Sequence, residues 1–436
     1  MTDAPGHGHL LRLLGLGFGI AVAVGEMIGS GILRTPSLIA AEVGTAGLIL
    51  ALWAFGAIHA SLQANVLAEL GTMLPRVGGQ YVFVRRAFGN ATGLFVGWAM
   101  WGAHMAGLAA SSIAFADFAA PLLPGIANHR AGLAVAVQIV LYGTNVAGLR
   151  AGRAMQMGTS LLKSALLLAF AAAAFWLTPN LTPPIDHHTA TGVLAIAAAY
   201  QLIRGAYNGW HAPVYFAEEN LTPARSIPAA LFLGIVATGG LYLLVNIALL
   251  HALGPAGVAA NALPYRMVLD RMAGGGASLL FAIGAMITVA SCANANIMMA
   301  PRILFALSRD GLLPEALESV NRGGSPYVAF LLSAIVSLAL ALSGGFVLAF
   351  GLIAILVTLA SLITEIAFFA LRRREPDLPR PYRAKLSPLL PALAIVLDAG
   401  LLALFAMADV RGAIIAAGLC VLCVPLAVMA KRLPTR

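Results

Sequence analysis

The sequence predicts an all-α polytopic membrane protein of about twelve transmembrane helices, and three observations carry that prediction. Hydrophobic residues make up 60% of the 436 and charged residues only 10%, whereas a soluble globular chain is about 25% charged. Apolar runs of spanning length recur throughout, centred on about residues 25, 60, 104, 139, 166, 205, 240, 290, 334, 357, 398 and 420. With the N-terminus inside, the tail and every second loop hold 19 Lys/Arg, against four (Arg130, Arg266, Arg271, Arg411) in the opposite set. By the positive-inside rule that asymmetry puts both termini in the cytoplasm. It also removes the nucleic-acid reading that a net charge of +9 invites.

The first apolar segment is the most informative. It contains Val24-Gly25-Glu26-Met27-Ile28-Gly29-Ser30-Gly31-Ile32-Leu33, with three glycines in seven residues and a carboxylate among them. Backbone cannot be left unpaired in lipid, so an interruption here must face something else. Arg34 follows and is placed to guard the outer entrance. Segment two carries Glu69 towards its end, and segment three carries His104, then Asp117 near its outer end. Segment five holds Lys163 inside Leu161-Leu162-Lys163-Ser164-Ala165-Leu166. A buried lysine is costly and normally marks a functional position. Segment six breaks at Gly205-Ala206-Tyr207-Asn208-Gly209, with Arg204 before the break and Trp210 after it. Segment eight offers Thr288 and Ser291 as hydroxyl acceptors for Lys163, and segments ten and eleven carry Glu365 and Asp398. Cys292, Cys420 and Cys423 all lie in apolar segments, so no disulfide framework is expected.

The first five segments (11–177) and the next five (192–370) read as two halves of one transmembrane domain covering 1–436, with two peripheral helices at 388–430. Segments one and six come first in each half and carry matched breaks. That pattern points to an inverted repeat with a binding site near the bilayer midplane.

Breaking a helix exposes its ends. Near Gly29, Ser30, Gly31 and Ile32 the outer half of segment one offers N–H donors and a positive dipole to a carboxylate. The carbonyls from Gly25 through Met27 and Ile28, and those around Gly205, Ala206 and Tyr207, are placed to accept from an ammonium group. A zwitterion fits two opposed ends of this kind, so an α-amino acid is the expected substrate class. Glu26 and Arg204 sit at the two breaks and are placed to pair across the site. Asn208 and Trp210 complete the expected lining.

These residues resemble the amino acid–polyamine–organocation superfamily, over roughly 11 to 433. Gly25–Ile32 looks like that family's unwound first helix, and Leu74-Pro75-Arg76-Val77-Gly78-Gly79-Gln80-Tyr81 resembles its Pro-x-x-Gly-Gly-x-Tyr loop. Tyr207-Asn208-Gly209-Trp210, followed by Glu218-Glu219-Asn220-Leu221-Thr222-Pro223, is similar to its helix-six signature. Arg302 with Ser308-Arg309-Asp310-Gly311-Leu312-Leu313-Pro314 matches the end of helix eight, and Arg374-Glu375-Pro376-Asp377-Leu378-Pro379-Arg380-Pro381-Tyr382 the loop after helix ten. The resemblance implies a leucine-transporter-like fold with a five-plus-five inverted repeat. The Tyr-x-Gly-Trp break and Lys163 point to the L-amino-acid transporter branch and its bacterial relatives.

In that branch the lysine ammonium sits where sodium-coupled relatives hold sodium. The resemblance therefore implies sodium-independent transport of amino acids, by exchange or with protons. Three positions depart from the pattern. Gly205 stands where the branch usually carries an aromatic gate, which would enlarge the pocket or shift gating to Tyr207 or Trp210. Glu26 replaces a small or apolar residue, and Arg204 precedes the second break. Glu26 also supports an alternative, an amine or polyamine permease with Glu26 as recognition group. A sensor that binds amino acids without moving them is a further alternative, although the loops at 302–325 and 371–388 are short for signalling.

Other classes find little support. No convincing nucleophile–base or metal constellation suggests an enzyme, and no cofactor is expected. His7, His9, His187 and His188 lack the further ligands of a zinc site. Gly29-Ser30-Gly31 lacks the strand and lysine of a nucleotide loop. Human-type relatives pair with a single-pass glycoprotein through a cysteine between helices three and four. The loop at Ala119–Arg130 has none, so no disulfide-linked heavy chain is expected. The expected partners are a small-molecule amino acid and the lipid bilayer. A composition rich in Ala, Gly and Arg with only three Lys suggests a bacterium, hence the cytoplasmic (inner) membrane.

Overall fold

A computed structural model describes residues 12, 14–120, 122, 125, 129–146, 149–177, 192–273, 277–321, 324–343, 345–421 and 425. His7, His9, His187, His188 and Cys423 lie outside the described residues. Among the described residues there is no strand, and an isolated bridge pairs Leu14 with Asn220.

The helices are α1 (Leu16–Met27), α2 (Ser30–Val43), α3 (Ala46–Met73), α4 (Gln80–Phe88), α5 (Asn90–Ala119), α6 (Arg130–Val146), α7 (Leu149–Leu177) and α8 (Val193–Ala206). They continue with α9 (Ala212–Tyr215), α10 (Pro223–Ala259), α11 (Pro264–Ala273), α12 (Ala277–Arg309), α13 (Tyr327–Ser343), α14 (Phe346–Arg374), α15 (Leu389–Ala408) and α16 (Val410–Val421). Seven helical spans are long and apolar enough to cross a membrane: Leu16–Val43, Ala46–Met73, Gly152–Trp176, Pro223–Ala259, Leu279–Arg309, Phe346–Arg374 and Leu389–Ala408. Three shorter apolar helices accompany them, Val193–Ala206, Tyr327–Leu342 and Val410–Val421. The chain is thus a helical membrane protein.

The pattern of burial shows what holds the bundle. α12 packs along α5, and α10 packs along α3. α1 lies between α7 and α10, and α2 lies against α8, so the two broken segments sit side by side at the centre. Leu161, Leu168 and Trp176 on α7 and Leu389 and Val396 on α15 are exposed apolar side chains, as expected of helix faces bathed in hydrocarbon rather than water.

Two loops fix the bundle at its arginine-rich end. Gly78 and Gly79 adopt φ of +121° and +67°, a region that favours glycine. A side chain on Gly79 would also come within 2.3 Å of the Tyr215 ring. The loop after α14 folds back on α3: Glu69 pairs with Arg372 at 2.6 Å and Arg380 at 3.1 Å, and accepts from the Ala384 amide. Glu69, carried towards the end of segment two, therefore serves as an anchor.

The same end is tied across the first and sixth segments. Leu14 donates to the Glu219 carbonyl at 3.0 Å and accepts from the Leu221 amide at 2.9 Å. Arg302 of α12 binds Glu219 through both carboxylate oxygens at 2.6 and 3.1 Å, with both side chains buried, and its guanidinium lies 4.6 Å above the Phe216 ring. Arg309 pairs with Glu218 at 2.8 Å. Burial pushes the Glu218 carboxyl up, but the bond and charge of Arg309 outweigh it and hold the group below its usual range.

Candidate substrate site

The helical run of segment one stops at Met27 and resumes at Ser30, with Gly29 extended at φ −140° and ψ −148°. A helix that stops leaves its last carbonyls without intrahelical donors. Every carbonyl from Gly25 to Ile28 has a side-chain donor instead. Lys163 of α7, 0% exposed, donates to both Gly25 and Ile28. Cys292 of α12 donates to Glu26 at 3.1 Å, and Tyr242 of α10 donates to Met27.

Lys163 thus stands beside segment one, but its acceptors are backbone. The expectation that Thr288 and Ser291 accept from it does not hold. Thr288 donates to the Gly284 carbonyl of its own helix at 2.8 Å, and Ser291 is engaged by Thr159 at 2.9 Å. A hydroxyl on a helix readily returns to the carbonyl one turn back. The expectation that the Gly25–Met27 carbonyls lie open to a substrate ammonium is corrected as well, since each already has a donor from the protein.

The second break follows α8. Tyr207 and Asn208 turn back on the carbonyls of Ile203 and Gly205, at 2.9 and 3.1 Å. Ala206 presents its carbonyl to Tyr242 at 3.0 Å. The Tyr242 hydroxyl therefore reaches acceptors from both breaks with one proton. Tyr207 donates to the Trp53 carbonyl at 3.0 Å, Asn208 is bonded to His211 at 3.1 Å, and Trp210 is buried. Gly209, at φ +118°, lets the backbone lie directly on Glu26, where a β-carbon would stand 2.6 Å from that side chain.

The two breaks touch. A side chain on Gly31 would lie 2.9 Å from Ala206 and 3.0 Å from the ring of Phe350. Above Gly205 the Phe350 ring sits 2.7 Å from the position of an absent β-carbon. The expected enlargement of the pocket at Gly205 is thus offset, because α14 supplies an aromatic ring there. Phe350 stacks on Phe346 at 5.1 Å, and Arg34 lies 4.2 Å above Phe346 while pairing with Asp117 at 2.9 Å. Arg34, expected at the outer entrance, caps this stack. Phe350→Ala is expected to weaken binding of the expected substrate about tenfold, in line with the ~1.4 kcal/mol that a tenfold change requires. Substrate-induced stabilisation against thermal unfolding measures it, and undiminished stabilisation would remove Phe350 from the site.

Glu26 does not meet Arg204 in an ion pair among the described residues. Its carboxylate is buried, lies 3.4 Å from His104 Nδ1, and accepts no hydrogen bond. His104 Nδ1 also lies 3.0 Å from Asn296 Oδ1. Arg204 turns the other way, towards Ser361 at 3.5 Å and Glu365. The two residues flank different breaks, and their side chains have different neighbours. Among the described residues no group of three or more His, Cys, Asp or Glu side chains is placed to hold a metal ion.

Tyr242, Cys292 and Phe350 contact the two breaks and were absent from the sequence expectations. Tyr242 carries a weak sequence signal, a hydroxyl within an otherwise apolar run. Phe350 carries none.

The sequence is also similar to known proteins. A family model described as amino acid permease matches residues 19–433. The chain is 26% identical to the large neutral amino acids transporter small subunit 2 of Rattus norvegicus over 409 residues, covering 90% of this chain and 76% of that one. It is 25% identical to the serine/threonine exchanger SteT of Bacillus subtilis over 421 residues, covering 88% and 89% of the two chains. With the Asc-type amino acid transporter 1 of Mus musculus the identity is 26% over 421 residues, covering 90% and 76%.

Proposed function

We propose, from the premise that the chain belongs to the amino acid permease family, that it carries L-amino acids across a bacterial cytoplasmic membrane without sodium, by exchange or proton coupling. As a member of that family it is a transporter and not an enzyme. The single observation that carries the sodium-independent reading is the Lys163 ammonium bonded to the Gly25 and Ile28 carbonyls. A sodium ion at that break would need those oxygens, and the Lys163 amine already donates to them.

In this reading the substrate carboxylate meets the N–H groups at Gly29, Ser30, Gly31 and Ile32, where the first turn of α2 has no intrahelical acceptors. The ammonium is received at the second break, by the Tyr207 carbonyl, since Gly205 and Ala206 already have donors. Asn208 and Trp210 line the space, Phe350 and Arg34 cover it outwardly, and rocking of one bundle against the other alternates access. The proposed topology has twelve spans, a five-plus-five inverted repeat and both termini in the cytoplasm, with no disulfide-linked heavy chain. Uptake of a labelled amino-acid panel into preloaded proteoliposomes tests the assignment. Binding without uptake of any amino acid would replace it with the sensor reading.

One observation favours a second reading, an amine or polyamine permease. The Glu26 carboxylate is buried with both oxygens free of donors, as a recognition group for an added cation would be. Glu26→Gln is expected to lower uptake of basic substrates at least about tenfold, since hydrogen bonds to charged groups are worth about 1.5–3 kcal/mol, and to spare neutral ones. Competition by putrescine that disappears in this variant would establish the amine reading; equal uptake of every substrate would end a recognition role for Glu26.

A further inference from the structure

A second set of buried ionisable groups lies away from the substrate site, where α3, α8, α14 and α15 meet. Asp398 of α15, 0% exposed, has His59 Nε2 at 2.9 Å on one oxygen and the Gln63 amide at 2.6 Å on the other, both from α3. His59 Nδ1 is bonded to the Tyr200 hydroxyl of α8 at 2.8 Å. Glu365 of α14 lies within hydrogen-bonding reach of Asp398 and in the field of Arg204. Glu365 and Arg204 are 2% and 3% exposed. Neither Glu365 oxygen receives a hydrogen bond, and Arg204 Nε makes none.

Two carboxylates in contact repel strongly unless a proton sits between them. With both ionised and His59 neutral, the cluster carries one net negative charge inside the membrane. One added proton brings it to neutrality against Arg204, which the low dielectric favours. That proton can reside on His59 or between the carboxyl groups. Only the second location gives the Glu365 oxygens a partner and turns the carboxyl contact into a bond.

We propose that Glu365 and Asp398 share one proton, forming a membrane-buried proton site held by His59, Gln63 and Arg204 and separate from Lys163. The groups facing it are His59 and Gln63 from α3, Tyr200 and Arg204 from α8, and Ser361 from α14 itself. Asp409, beyond the end of α15, is turned to the Gly412 amide at 2.8 Å. Arg204 stands one residue before Gly205. Loss of the proton strengthens the pull of the two carboxylates on Arg204.

Infrared spectra of the full chain in lipid nanodiscs test the proposal without any transport measurement, so a failure here leaves the reading of the substrate site untouched. The expected result at neutral pH is a protonated-carboxyl stretch that shifts when either glutamate or aspartate carboxyl carbons carry a heavy-isotope label. The same band disappears in Glu365→Gln and in Asp398→Asn and persists in the exposed-site control Glu42→Gln. Absence of such a band, or one indifferent to the aspartate label, overturns the proposal. The isotope comparison uses the unmutated chain and decides the matter even where a variant fails to fold.

Discussion

Lys163→Met is expected to reduce amino-acid uptake by about 100-fold or more while leaving the protein monodisperse in detergent. Methionine keeps the length of the side chain and removes its donors, so the carbonyls of Gly25 and Ile28 lose the groups that now satisfy them. Each buried acceptor left unpaired costs about 1–3 kcal/mol. Two such losses correspond to roughly 3–4 kcal/mol, and each ~1.4 kcal/mol is tenfold. In the proposed reading the break is the part of α1–α2 that a substrate carboxylate addresses, so distortion falls on binding and on movement together. Uptake within threefold of the unmodified protein would mean that Lys163 fills space and nothing more.

Glu219→Gln is expected to produce the largest loss of stability. Its carboxylate holds both forks of the buried Arg302 guanidinium, which also donates to the Met298 carbonyl. Removing one partner of a buried pair costs about 3–5 kcal/mol because the other charge remains without compensation, whereas replacing both by apolar groups is often nearly neutral. Glu219→Gln should therefore lower the melting temperature markedly, and the double variant Glu219→Leu with Arg302→Met should regain most of it. Equal losses in the single and double variants would show that packing over Phe216, and not charge, is what matters there.

Much of the helical character and several parts of the site are legible from sequence for definite physical reasons. A lysine flanked by leucines in a spanning run has few affordable environments, so Lys163 announces itself. Clustered glycines at Gly25–Gly31 and Gly205–Gly209 mark where the helical runs stop.

What escapes the sequence depends on direction in space. Glu26 and Arg204 lie at neighbouring breaks yet have different neighbours, His104 for one and Glu365 for the other, and no spacing encodes that. Thr288 and Ser291 have the right chemistry for Lys163, but their hydroxyls find partners at Gly284 and Thr159. Phe350 replaces the ring missing at Gly205 from a different helix. One phenylalanine among the apolar residues of α14 carries no mark of that task. Tyr242 joins the two breaks through a single hydroxyl, and only the packing of α10 beside α1 brings it there.

The central claim is that the Lys163 amine takes the place of a coupling sodium ion. Its most direct test is uptake of labelled amino acid into proteoliposomes containing the unmodified chain, with external sodium replaced completely by choline. The account predicts identical initial rates in the two media, with uptake depending on internal amino acid or on an inward proton gradient. Uptake that collapses without sodium would contradict it, because the Gly25 and Ile28 carbonyls would then have to serve an ion that Lys163 excludes.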